Sequence, residues 1–196
     1  VVGMHNGTLT GWRQSLDDAT FFDVDSECLF HNIGVHGVNT VIPKVKGAYA
    51  LVWYDKESDT LNFLKNSQRP LWTCMTEDKE VMFWASEYWM LDMLRSDHGK
   101  RQKFCTDKDG DMFFGLPDDT LTRFRIDNSH SAKKVFTKLP SRPLEGDSSQ
   151  PTYNAPFQGY RVGNQTTTTQ VTNSIDQRSE KVWGDDEWNE WDNKFN

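Results

Sequence analysis

Residues 47–55, Gly47-Ala48-Tyr49-Ala50-Leu51-Val52-Trp53-Tyr54-Asp55, form a near-continuous apolar and aromatic run. That pattern predicts a strand buried on both faces, because a half-exposed strand would alternate with polar residues. The polar stretch 56–59 then reads as a turn. Residues 60–65 alternate, so the two segments are expected to pair as a hairpin.

Ahead of this hairpin, the apolar lead Val1-Val2-Gly3-Met4 runs into His5-Asn6-Gly7-Thr8. It predicts a buried strand ending in a tight turn at Asn6-Gly7, since Asn and Gly both tolerate positive φ. A strand end of that kind offers the Asn6 amide and the Gly7 N–H as a donor pair for an oxyanion. A hairpin turn without chemistry is the plainer alternative. Residues 10–16 predict a helical turn ended by Asp17-Asp18. Asp25-Ser26 reads as the N-cap of a helix carrying Glu27, Leu29, Phe30, Ile33 and Val35, kept short by Gly34 and Gly37. Residues 41–46 link, interrupted by Pro43. Residues 66–72 predict a turn entering a short strand, and residues 80–85 a further strand. Ser86-Glu87 is expected to cap a helix over 88–95. Residues 110–115 and 120–126 predict two last strands around the turn 116–119.

From residue 127 the character changes. Residues 138–173 are rich in Pro, Ser, Thr, Gln, Asn and Gly and lack sustained periodicity, as linkers do. The expected organisation is a domain over 1–126 and a low-complexity polar linker and tail over 127–196. The end carries Trp183, Trp188, Trp191 and Phe195 among Asp and Glu. Trp188, Trp191 and Phe195 share a helical face, so the segment reads either as an amphipathic helix docking on a protein partner or as a disordered acidic end.

Composition narrows the function classes. With 196 residues, one domain is expected. Hydrophobic residues make up 36%, which suits a core with a polar segment outside it. A net charge of −7 argues against nucleic acid or an anionic membrane as partner, because no basic surface is left to neutralise phosphates. Cys28, Cys74 and Cys105 show neither CxxC pairing nor metal-ligand spacing and read as reduced thiols of a cytoplasmic protein. The Asn-x-Thr sequons at Asn6 and Asn164 stand without any other sign of secretion, and no apolar run reaches membrane-spanning length. Asp107-Lys108-Asp109-Gly110-Asp111 fails as a calcium loop, since Met112 holds the sixth position where Gly is needed. The five histidines lack H-x-x-x-H spacing, so no metal site is expected. Ser86 lacks a Gly-x-Ser-x-Gly elbow. The tryptophans have no basic groove to make a base-stacking surface.

Five blocks, in order, carry a resemblance: His5-Asn6-Gly7, Asp25-Ser26-Glu27, residues 47–52 with Asp55, Arg69-Pro70-Leu71, and Phe83-Trp84-Ala85-Ser86-Glu87. Over residues 1–126 the chain resembles class II glutamine amidotransferase domains. These are the N-terminal-nucleophile (Ntn) glutaminases of glucosamine-phosphate synthase, amidophosphoribosyltransferase and asparagine synthetase. The resemblance implies an α+β fold, a four-layer αββα sandwich of two antiparallel sheets, here with its N-terminal strands missing. It implies release of ammonia from the side chain of L-glutamine without a cofactor. Asn6 and Gly7 fall on the oxyanion-hole positions, and Asp25 on the carboxylate that holds the glutamine α-amino group.

The departures from the family are specific. The family nucleophile is an N-terminal cysteine well upstream of His-Asn-Gly, with its own α-amine as base. Neither that cysteine nor the upstream arginine that grips the glutamine carboxylate has a match here. The three internal cysteines cannot supply an α-amine. The Arg-Asp that the family places before its Arg-Pro-Leu turn is replaced by Lys65-Asn66-Ser67-Gln68. Because the chain starts at Val1, the expectation is that a segment was cleaved, left out or supplied by another polypeptide, and that these 196 residues alone do not turn over glutamine. The alternative is a non-catalytic relative that serves a larger assembly as a binding or structural module through its tail.

Overall fold

The computed structural model describes residues 1–98, 103–106, 112–127 and 136–144. The fold is mixed α+β. Strands β1 (Val2–Thr10), β2 (Lys46–Asp55), β3 (Thr60–Lys65), β7 (Thr120–Ile126) and β8 (Phe136–Pro143) make one antiparallel sheet in the order β1-β2-β3-β7-β8. Strands β4 (Trp72–Met75), β5 (Met82–Ala85) and β6 (Phe114–Gly115) make a second, ordered β5-β4-β6. Helices α1 (Trp12–Ser15), α2 (Asp25–His36) and α3 (Val38–Val41) lie between β1 and β2 in sequence, and α4 (Tyr88–His98) follows β5.

The apolar run 47–55 lies between two cores, as its composition demands. Tyr49, Leu51 and Trp53 face one core, which they share with Leu29, Phe30 and Ile33 of α2. Ala50 and Val52 face a second core, shared with Phe63, Leu71, Met75 and Met82, between the two sheets. A third core joins Cys74 and Phe104 to Leu91 of α4 on the far side of the smaller sheet. Phe63 is fully buried and meets Trp84 and Phe124 edge-on, with ring centroids 5.7 and 5.8 Å away. Burial of such a side chain contributes about 1.5–3 kcal/mol. The β2–β3 hairpin closes as expected. Asp55 accepts from the Glu57 N–H and the Ser58 hydroxyl, and Asp59 takes the left-handed conformation at φ 51.

Several expectations are corrected. Residues 1–7 do not form a buried strand ending in a turn. β1 runs on to Thr10, pairs with β2 without a register shift, and leaves Val2 75% and Met4 55% exposed. The turn comes instead at Gly11, with φ 64. β1 pairs with β2 on one side only among the described residues, which explains its exposure. Asp25 is not the cap of α2: Val24 holds that position, and Asp25 is the first helical residue. Gly34 lies inside α2, and the chain leaves the helix at Gly37, φ 79. Ser86 Oγ lies against Met90 Sδ at 3.9 Å, and α4 reaches His98. Of the strand expected over 110–115, Phe114–Gly115 is observed, while residues 107–111 lie outside the described residues.

The larger sheet continues past residue 126, where composition places the start of the tail. β8 pairs with β7 along its length, and Leu144 enters the first core at 7% exposure. Pro140 and Pro143 obscure this strand in the sequence, but an edge strand tolerates proline where a central one would lose ladder hydrogen bonds. The remainder of the tail, with Trp183, Trp188, Trp191 and Phe195, lies outside the described residues. No helix among the described residues is long and apolar enough to cross a membrane.

Candidate functional site

The first core brings α2 onto β1. Side chains alternate along a strand, so Gly3, His5, Gly7 and Leu9 share the face toward α2, and Met4, Asn6 and Thr8 share the other. The contact is close: a Cβ at Gly3 would lie 2.4 Å from the Phe30 ring. This packing sets the start of α2 beside the second half of β1.

Asp25 spends its carboxylate on that junction. Its Oδ2 accepts the Leu9 N–H at 2.9 Å, and its Oδ1 accepts the Ser26 N–H at 2.8 Å. A helix start favours a carboxylate for the same reason it favours any anion, the unpaired N–H groups of the first turn. Because the Leu9 N–H reaches Asp25, it points away from β2. Regular alternation along the strand places the Gly7 N–H on that same side, where β1 has no strand partner among the described residues. Asn6 is exposed and opposite Ala50, so its side chain leaves from the face turned toward the inter-sheet core. Asp25 thus meets the edge of β1 two residues beyond Gly7, while the Asn6 side chain leaves from the face of the strand opposite α2.

Glycine is required at residue 7. Its φ is 156, and a Cβ would meet the Ala48 carbonyl oxygen at 1.9 Å and His5 Nε2 at 2.8 Å. Across the pair, Gly47 has φ 117, and a Cβ there would lie 2.2 Å from the Thr8 carbonyl oxygen. The sequence pattern singled out Gly7 for a turn. The structure uses it for close backbone approach within a strand.

In the sequence His5 and Ser26 stand as members of two separate motifs, with Ser26 also at a helix cap, and nothing there links them. The structure joins them: His5 Nδ1 and Ser26 Oγ are 2.9 Å apart, and Ser26 Oγ lies 3.3 Å from Asp25 Oδ1. Burial pushes the His5 pKa below its ordinary 6.5, against opposing effects of Asp25 and the Ala48 carbonyl, and Arg69 adds to the lowering. His5 Nε2 is buried without a hydrogen-bond partner. A serine directly after the acidic residue of a helix start, with a histidine on the strand it packs against, was the signal available.

The turn after β3 is tied to the same region. Asn66 Nδ2 donates to the Gly47 carbonyl at 2.7 Å, and Asn66 Oδ1 accepts the N–H groups of Tyr49 and Gln68, each at 3.2 Å. Asn66 therefore holds the start of β2 in place. Lys65 pairs with Asp118 and does not enter the site.

All three cysteines are free thiols and buried. Burial pushes the Cys74 and Cys105 thiols up to about 12, and Cys28 is also raised. A nucleophilic cysteine needs the opposite shift. The described residues hold no cluster of three or more His, Cys, Asp or Glu suited to a metal ion. An apolar cavity opens between the sheets, lined by Met75, Met82, Cys105, Leu116 and Phe124 with Lys138 among its walls. It does not include Asn6, Gly7 or Asp25, and its walls carry little polar chemistry.

No family model matches the chain, and no curated protein matches it.

Proposed function

We propose that this chain is the greater part of a class II glutamine amidotransferase domain of the Ntn-hydrolase type, which releases ammonia from the glutamine side chain when an N-terminal nucleophile segment is present. The observation that carries the reading is the docking of the Asp25 carboxylate onto the Leu9 N–H of β1, two residues beyond Asn6-Gly7. In this reading the ammonium-binding group, at the start of α2, abuts the strand that carries the oxyanion donor pair. The stacking of three cores, α2 against sheet, sheet against sheet, and sheet against α4, supports an αββα sandwich.

In this reading the Asp25 lone pairs that do not accept backbone N–H groups hold the glutamine α-ammonium. The thiolate of the N-terminal segment attacks the side-chain carbonyl carbon, and Asn6 Nδ2 and the Gly7 N–H donate to the oxygen as it becomes an oxyanion. The α-amine of that segment, which took the thiol proton, returns it to the leaving nitrogen as collapse expels ammonia, and water then hydrolyses the thioester to glutamate and the free thiol. The donors act on the charge that develops in the transition state, so they serve kcat more than binding.

Calorimetric titration of L-glutamine into the 196-residue chain tests the ground-state half of this proposal. Asp25→Asn is expected to weaken binding about tenfold to a hundredfold, the range for a hydrogen bond to a charged group. Asn6→Ala should leave binding nearly unchanged. In a polypeptide that carries the nucleophile, the same Asn6→Ala should lower kcat about a hundredfold to a thousandfold. Equal binding by wild type and Asp25→Asn would remove the assignment and leave the non-catalytic module as the better description.

A further inference from the structure

We propose that His5 and Ser26 are positioning residues for Asp25: together they set whether Asp25 Oδ1 presents a free lone pair to a cationic ligand group, leaving only that of Oδ2 when it does not, and the setting changes when His5 gains a proton. This rests on the reading of Asp25 as an ammonium-binding group.

Ser26 has one hydroxyl proton and two acceptors in reach, His5 Nδ1 at 2.9 Å and Asp25 Oδ1 at 3.3 Å. It can serve one of them at a time. A neutral imidazole with its lone pair on Nδ1 takes the shorter bond, and the ring proton then sits on Nε2, on the side of the Ala48 carbonyl. Asp25 Oδ1 keeps its Ser26 N–H bond and retains a lone pair for a ligand. A doubly protonated imidazolium reverses this. Nδ1–H must donate to Ser26 Oγ, so the hydroxyl proton turns to Asp25 Oδ1 and occupies that lone pair.

The charge acts in the same direction, because an imidazolium one side chain away from Asp25 competes with a ligand ammonium for the carboxylate. The charged groups that bear on the ring are Asp25 from α2 and Arg69 from the turn after β3, and β2 presents the Ala48 carbonyl. Burial outweighs Asp25, so the ring is neutral at neutral pH and the change of setting lies below 6.5. Gly7 makes room for the arrangement, since any Cβ there would press on Nε2. The residue read as an oxyanion donor is thus also the one that admits the ring controlling Asp25.

The experiment uses the 196-residue chain labelled with nitrogen-15. The imidazole shifts of wild type at pH 7.5 are expected to show Nε2 protonated and Nδ1 as acceptor. Glutamine affinity should then fall about threefold to tenfold as the pH is lowered through the His5 titration observed in those spectra, the size of one hydrogen bond exchanged for another. His5→Gln, which cannot gain the proton, should flatten the profile. Ser26→Ala should lose a large part of the fall, because without the hydroxyl no proton can turn to Asp25 Oδ1. A wild-type ring with its proton on Nδ1 at pH 7.5 overturns the proposal, as does a full fall in either variant. If glutamine binds at no pH, the reading of the site as a glutamine pocket fails. The relay is then judged on the ligand-free protein: the His5 tautomer of wild type must hold, and Ser26→Ala must alter the His5 titration, or the relay is wrong too.

Discussion

Gly7 illustrates how one residue serves conformation and chemistry together. With φ at 156 and the Ala48 carbonyl oxygen 1.9 Å from where a Cβ would stand, a side chain cannot enter without parting β1 from β2. Gly7→Ala is therefore expected to destabilise the chain by about 1–3 kcal/mol, the usual cost of a backbone forced into a sparsely populated region. Chemical denaturation monitored by tryptophan fluorescence would read it. A change below about 0.5 kcal/mol would mean that the strand shifts freely at this point and that the approach to Ala48 is not tight. Gly37 gives the contrast, because its Cβ position is open and its requirement is φ alone.

At the scale of the element, β8 is where composition and structure part. Residues 136–143 carry two prolines, and their burial is partial, so no periodicity marks them as a strand. The pairing with β7 and the anchoring of Leu144, whose N–H donates to the Asp119 carbonyl at 2.8 Å, come from the tertiary neighbourhood. A chain ending at residue 126 loses this edge and the burial of Leu144. It should be less stable than a chain ending at residue 144 by about 2 kcal/mol or more, given about 1.5–3 kcal/mol for one buried leucine. Thermal melting of the two truncations checks this, and equal melting temperatures would show that β8 adds nothing to the sheet. β1, at the opposite edge, is stabilised differently: α2 covers one face of it through Phe30, and Asp25 takes the Leu9 N–H.

At the scale of the molecule, three stacked cores share the load, and one cysteine lies in each: Cys28 in the first, Cys105 in the second, Cys74 in the third. All three thiols are buried and have raised pKa values. In the native protein a disulfide reagent at neutral pH should therefore label them slowly, and the rates should rise sharply through the unfolding transition. Because each thiol reports one core, simultaneous exposure would show that the layers unfold together. Rapid labelling of any one under native conditions would show that its layer opens separately, or that the thiol is not buried as described.

The residues themselves determined the hydrophobic order of this protein. The run 47–55 had to be a strand covered on both faces, the hairpin to residues 60–65 followed from a polar turn, and α2 was marked by its acidic start and by Gly37. Those features depend on neighbours in sequence, where periodicity and turn chemistry act directly. The same holds for naming Asn6, Gly7 and Asp25, which came from motifs and their order. Tertiary structure decided the rest. Asn6-Gly7 lies within a strand because β2 returns from far along the chain to pair with it, a contact that no local propensity encodes. Asp25 is a β1 partner instead of a cap because the packing of Phe30 against Gly3 brings the helix start within reach of the Leu9 N–H. The His5–Ser26 link exists for the same reason: two residues 21 apart in sequence become neighbours only when helix and sheet share one core.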